Sequence, residues 1–232
     1  LAALLSFCYK DGATFKLFLA GISVLAFGVL TMLCTKNHTK EMNKREGYLV
    51  VAFGWIVMTL SGTLPYLFTG AIPSFSNAVF ETISGYTTTG STILNDIEAL
   101  PEGVLFWRSL THWIGGMGII VLAIAILPLL GIGGMQLFAA EAPGPSADKL
   151  HPRITDTAKR LWLIYFGYTA AETLLLSVAG MSFFDALNHS MSTLSTGGFS
   201  TKNASVSYWN DTPIIQYIII LFMFLAGTNF VL

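Results

Sequence analysis

Two short stretches hold residues whose types and spacing suit chemistry. One is Thr87-Thr88-Thr89-Gly90-Ser91-Thr92. The other, 108 positions further on, is Ser195-Thr196-Gly197-Gly198-Phe199. Both are rich in small hydroxyls and glycine, the second ending in Phe199, and carry no fixed charge. Rings of backbone carbonyls replace the hydration shell of a K⁺ ion without needing an acidic ring. Glycine permits the dihedrals that aim successive carbonyls inward. Glu81 lies one to two turns before the first stretch. It either supports that strand from behind or belongs to an outer vestibule. Arg108 opens a later apolar segment, as an interface anchor or as a partner for Glu81 or Glu102. Glu172 sits inside an apolar run, where an acid is a functional hypothesis by default and faces protein or water. Its alternative is a hydrogen-bonded packing residue. His38, His112, His151 and His189 lack metal-ligand spacing.

The elements that position these stretches belong in a membrane. Of 232 residues, 53% are hydrophobic and 11% charged, against roughly 25% charged in an ordinary soluble domain. Mean hydropathy is +0.66. That excludes a typical cytosolic enzyme and a disordered region. At about 20 apolar residues per crossing, the chain has room for about four to six passes. Net charge is −1, so nothing calls for a nucleic-acid partner. Cys8 and Cys34 lie in or beside apolar runs and are not a disulfide framework. Leu1 to Phe7 is apolar with no basic flank, which is not a signal peptide. It reads as the tail of a cut membrane helix, and the chain as a fragment of a longer membrane protein.

Eight of the 12 Lys and Arg residues fall in two stretches: Lys36, Lys40, Lys44 and Arg45, then Lys149, Arg153, Lys159 and Arg160. The positive-inside rule puts both stretches in the cytoplasm. An even number of passes must join them, yet three apolar segments lie between: 47–69, 74–94 and 104–139. The middle one, with Glu81, its threonines, Gly85 and Gly90, is the one that fails to cross. Pro73 opens it at a favoured first helical position, and Phe75, Val79, Phe80 and Ile83 keep helical spacing. About 14 helical residues rise roughly 20 Å, short of a crossing. The segment therefore reads as a half-helix with a polar return. Non-helical backbone at that depth must be buried in protein or line a watery cavity.

The pattern occurs twice. Asn77–Gly90 aligns with Asp185–Gly198, with Ala, Ser, Thr and the last Gly identical. The flanks repeat too, in the same orientation. Residues 1–35 are expected to be extra N-terminal membrane helices, the first truncated. The first pore repeat spans 36–140, with a helix 47–69, pore helix 73–86, filter 87–92 and helix 104–139. A cytoplasmic linker covers 141–156. The second repeat spans 157–232, with a helix 157–180, pore helix 182–194, filter 195–199 and a truncated helix 212–232. The fold class is thus all-α integral membrane, built from parallel helix–pore half-helix–helix pseudo-repeats in the manner of a K⁺ channel. Gly115-Gly116-Met117-Gly118 and Gly131-Ile132-Gly133-Gly134 allow close approach or bending. A helix 104–139 would be about 54 Å long, so a break is expected at Pro128 and the second cluster. Sequons at Asn37, Asn188, Asn203 and Asn210 read as chance.

Phe80-Glu81-Thr82-Ile83-Ser84-Gly85-Tyr86-Thr87-Thr88-Thr89-Gly90, Trp107-Arg108-Ser109 with His112-Trp113-Ile114-Gly115-Gly116-Met117-Gly118, and Ser195-Thr196-Gly197-Gly198-Phe199-Ser200 resemble the Trk/Ktr/HKT superfamily of K⁺ transporters. Within it, the likeness is to the pore-forming subunit of bacterial Trk systems, and it runs from about Arg45 to the end. The linker from Glu141 to Ile154 is similar as well. The resemblance implies four repeats around one pore, of which this chain has two. It matches Gly90 and Gly198 to filter glycines, flanked by Thr88, Thr89, Ser91, Thr196, Gly197 and Phe199. It implies K⁺ uptake across a bacterial cytoplasmic (inner) membrane, with K⁺ as the carried ion and no organic cofactor. It also implies a homodimer and a cytosolic nucleotide-binding regulatory subunit (TrkA-like). Two alternatives stay open. One is K⁺ transport coupled to H⁺ or Na⁺, with Glu172 or Glu81 as a proton site. The other is an intramembrane serine protease pairing Ser84 or Ser192 with His112 or His189, which leaves the duplicated Thr/Gly strand without a purpose.

Overall fold

A computed structural model of the chain describes residues 1–36, 44–126 and 154–227. These residues form α1 (Ala2–Tyr9), α2 (Thr14–Thr35), α3 (Lys44–Thr69), α4 (Phe75–Tyr86), α5 (Glu102–Ile126), α6 (Ile154–Val178), α7 (Phe183–Leu194) and α8 (Pro213–Ala226), with a 3-10 turn at Ser205–Trp209. Among the described residues there is no strand. Burial is inverted relative to a soluble protein. Phe15, Leu25, Phe53, Leu163 and Phe224 are exposed, whereas Glu81, Arg108, His112, Glu172 and Asn188 are buried. Hydrocarbon is the solvent such an exterior suits. Thr14–Thr35, Ala52–Thr69 and Lys159–Val178 are long and apolar enough to cross a membrane. At 12 residues each, α4 and α7 rise about 18 Å, well short of a hydrocarbon core of about 30 Å.

Local chemistry sets where the elements start and stop. The half-helix α4 begins at Phe75 rather than Pro73. Ser74 is still extended (φ −77°, ψ 123°) and takes the N-cap position, so Pro73 belongs to the lead-in and not to the first turn. In α7 the Ser182 hydroxyl accepts the Asp185 N–H at 3.1 Å. For α5, the Pro101 carbonyl accepts the N–H groups of Val104 and Leu105, which starts the helix at Glu102 with an acid in its first turn. The helix α6 begins at Ile154, so the last residues of the expected linker are helical: nothing from Ile154 to Arg160 breaks a helix. Within the first glycine cluster, Gly118 leaves helical geometry (φ 69°, ψ 138°) and bends α5. The break expected at Pro128, the rest of 104–139 and most of the linker lie outside the described residues, as do 228–232.

The long helix α5 holds the molecule together. It packs on α1, α4, α6 and α7. Trp107 Nε1 donates to the Gly62 carbonyl of α3 at 3.0 Å, and Trp113 Nε1 donates to Thr169 Oγ1 of α6 at 3.0 Å. The turn between α1 and α2 is fastened to the start of α5 by Asp11, which accepts the Gly103 N–H at 2.7 Å.

Candidate functional site

The two half-helices end alike, atom for atom. Thr88 N–H bonds to the Gly85 carbonyl at 3.0 Å, and Thr89 N–H to that of Ser84 at 2.9 Å. At the same positions 108 residues on, Thr196 N–H bonds to Thr193 and Gly197 N–H to Ser192, each at 2.9 Å. Thr88 and Thr196 have φ of 53° and 56°, and Gly90 and Gly198 have φ of 76° and 87°. This is a Schellman-type cap with threonine in the left-handed position. A side chain there costs about 1–3 kcal/mol. The offset of 108 from the sequence comparison is therefore the register of the backbone too. Both half-helix C-termini carry partial negative charge.

Glycines let three backbones converge here. A Cβ on Gly115 would fall on the Tyr86 carbonyl at the end of α4, and one on Gly116 would fall on Ser195 at the end of α7. The pair thus lets α5 sit between the two half-helix ends. A Cβ on Gly90 would fall on the Gly197 carbonyl oxygen, so the two return strands touch at that point, while Gly198 faces open space. Thr87, Thr89, Ser91, Thr196 and Gly198 are exposed; Ser195, Gly197 and Phe199 are buried. Ser84 Oγ donates to the Ser91 carbonyl at 2.6 Å and ties the first strand to its half-helix. The Phe199 ring stacks on His112 at 3.8 Å and carries the Arg108 guanidinium at 3.6 Å.

Behind the strands lies a buried ion pair. Glu81 is 0% exposed and Arg108 2%, with Arg108 Nε 2.7 Å from Glu81 Oε1. Thr92 Oγ1 donates to both Glu81 oxygens at 2.9 and 3.0 Å, and the Ile93 N–H donates to Oε2 at 3.1 Å. Arg108 Nη1 donates to the Ser200 carbonyl at 3.0 Å. One guanidinium therefore spans the supports of both strands. Of the partners open to Arg108 in the sequence, this structure selects Glu81, and Glu81 lies behind the strand rather than in an outer vestibule.

Several residues near the strands take partners that the sequence did not assign to them. His189 Nε2 is 3.0 Å from Ser200 Oγ, and its Nδ1 is 2.9 Å from the Asp185 carbonyl. The offset of 108 sets His189 opposite Glu81, which is the signal the sequence holds for it. Asn203 accepts the Ile97 N–H at 2.7 Å and donates to Asp96 at 2.9 Å, so its sequon is occupied by a clamp between the outer loops. Glu172 is fully buried, with neither carboxyl oxygen in a hydrogen bond, and the Thr193 hydroxyl lies beside it. His112 Nδ1 and Ser192 Oγ do approach, at 3.3 Å. Both are buried, however, and His112 Nε2 has no orienting acid. Among the described residues no three His, Cys, Asp or Glu side chains are grouped to hold a metal ion.

Half-helices too short to cross a membrane that hand over to polar strands and share a central helix define a multi-pass membrane protein of the pore-loop class. The chain belongs to the TrkH family of cation transport proteins, whose family model matches residues 13–232. It is 46% identical over 232 residues to the Trk system potassium uptake protein TrkH of Salmonella typhimurium, covering 99% of this chain and 48% of that protein. It is 38% identical over 226 residues to the Trk system potassium uptake protein TrkG of Escherichia coli, covering 97% of this chain and 46% of that protein. Its fold matches the crystal structure of the potassium transporter TrkH from Vibrio parahaemolyticus with a TM-score of 0.81, at 39% identity and covering 99% of this chain and 46% of the other. The chain thus spans about half the length of the curated relatives it matches.

Proposed function

We propose that this chain supplies two of the strands that line a K⁺ path for potassium uptake across the bacterial cytoplasmic membrane. The observation that carries the reading is the duplicated backbone at Thr88 and Gly90 and at Thr196 and Gly198. In an ordinary strand successive residues alternate in direction. A left-handed residue at every second position (Thr88 and Gly90, Thr196 and Gly198) breaks that alternation and turns neighbouring carbonyls toward one side. Carbonyls of 87–91 and 195–199 are then the K⁺ ligands, and Glu81 and Arg108 hold them from behind. The half-helix C-termini add favourable potential for a cation. A closed ring needs further strands from outside this chain. The homodimer and the TrkA-like regulatory subunit belong to the same proposal.

The test is rubidium uptake into liposomes holding the full-length protein. Uptake that K⁺ blocks and Na⁺ spares supports a selective filter; equal block by both ions sinks it. One observation favours a second reading, in which K⁺ moves with H⁺: the unpartnered carboxyl of Glu172. A proton gradient separates the two. Passive flux ignores it, in wild type and in Glu172→Gln alike. Coupled flux follows it and loses that dependence in Glu172→Gln.

A further inference from the structure

We propose that His189 is the positioning residue of the second return strand, doing with a neutral ring what Glu81 does with a carboxylate for the first. This rests on the pore reading above and names a residue to which that reading gives no part.

The duplication carries the argument. Glu81 accepts from Thr92 Oγ1, and His189, 108 positions later, meets Ser200 Oγ, itself 108 positions after Thr92. The acceptor differs in kind, but the link it makes is the same: from the half-helix, outward, to the strand where it leaves the membrane interior. The hydrogen positions follow from the partners. The Asp185 carbonyl only accepts, so Nδ1 of His189 carries the proton and donates to it at 2.9 Å. Nε2 is then a bare acceptor and takes the Ser200 hydroxyl at 3.0 Å. The Ser200 oxygen in turn accepts the Lys202 N–H at 3.0 Å, and the Ser200 carbonyl accepts Arg108 at 3.0 Å. Each polar group of this chain of bonds has its partner. His189 is 3% exposed, and Trp209 packs edge-on against its ring at 5.0 Å, which holds the orientation.

Charge explains why the second repeat uses a ring. Arg108 is already neutralised by Glu81. A carboxylate at 189 would stand near Asp185 and the Ser200 carbonyl, and the nearby cation, Lys202, is turned onto the Tyr208 ring at 4.9 Å; a buried charge without a close partner is costly. A neutral imidazole offers the same acceptor without adding charge.

The experiment uses the full-length protein in liposomes, reading rubidium uptake against competing sodium. The variants are His189→Leu, His189→Gln, Ser200→Ala and the double His189→Leu/Ser200→Ala. Losing the bond is expected to lower Rb⁺-over-Na⁺ selectivity about fivefold, the weight of one net hydrogen bond. The expected pattern is a matching loss in His189→Leu and Ser200→Ala, no further loss in the double variant, and recovery in His189→Gln, whose amide both donates and accepts. Unchanged selectivity in Ser200→Ala, or additive losses in the double variant, overturns the proposal. Ser200→Ala removes a single hydroxyl, so it carries the test even where His189→Leu fails to fold. Wild type is the control that separates the two ideas. Wild-type uptake that Na⁺ blocks as readily as K⁺ sinks the pore reading and this inference with it. Selective wild-type uptake with indifferent variants sinks the inference alone.

Discussion

Glycine has three distinct uses within the two return strands, and single substitutions should separate them. Gly90 needs its positive φ and also touches the Gly197 carbonyl. Gly90→Ala is therefore expected to disturb both strands, adding about 1–2 kcal/mol of backbone strain to a steric overlap with no room to relax. A clear fall in melting temperature in detergent would show it. Gly197 needs only the space taken by the His112 ring. Gly198 needs only its dihedral, since a Cβ there meets nothing. Gly198→Ser should fold and yet lose discrimination between Rb⁺ and Na⁺, because the strained backbone re-aims a carbonyl; unchanged selectivity would argue against Gly198 as a filter residue. At the ion pair, Arg108→Lys keeps a charge but loses the fork that reaches Glu81 and Ser200 together. Glu81→Leu strands the buried guanidinium, for which about 3–5 kcal/mol of destabilisation is expected. Thermal melts should rank Glu81→Leu below Arg108→Lys, and the reverse order would mean that Arg108 matters mainly through Ser200.

At the scale of elements, α5 is the piece on which the site depends. Its Gly115 and Gly116 face the ends of the two half-helices, and Arg108, two turns earlier, faces both strand supports. Replacing Gly116 by Ala should push α5 off Ser195 and lower stability by about 1–3 kcal/mol, the usual cost of overpacking. Substitution at Gly167, where a Cβ meets nothing, should be tolerated. Equal melting shifts at the two positions would count against a tight seam. The half-helices themselves were legible in the sequence. Parity of crossings and a polar run inside an apolar chain favoured a half-helix with a polar return for 74–94 over an exposed loop between two helices, because unpaired backbone cannot face lipid. Their starting residues were not so legible, since Ser74 and Pro73 compete for the same turn and only the backbone dihedrals decide.

Across the whole molecule, the charge pattern makes a prediction about sidedness. With Lys36 in the cytoplasm and α2 crossing once, Lys10 lies outside. In a background with Cys8 and Cys34 replaced, a cysteine substituted for Lys10 should react with a membrane-impermeant maleimide on intact cells. A cysteine substituted for Lys36 should react only after lysis. Both positions are exposed. Labelling of both from outside would overturn the assigned orientation.

What the sequence determined by itself is what can be written along a line: hydropathy sufficient for membrane helices, basic clusters that set sidedness, two segments too short and polar to cross, and a repeat of 108 residues. Each depends on composition or spacing within a few turns of chain. What only the tertiary structure decided is which distant residues meet. Arg108 had two acids within reach on paper, and the packing of α4 against α5 chose Glu81, 27 residues away, over Glu102. His189 stood in the sequence only as a partner for Ser84 or Ser192, and the packing gave it Ser200 instead. The bend in α5 fell at Gly118, where the left-handed dihedral is taken without a Cβ penalty. The contacts that brace the strands join residues up to 92 positions apart. They exist only because one helix passes between two half-helix ends, and no local pattern encodes that crossing.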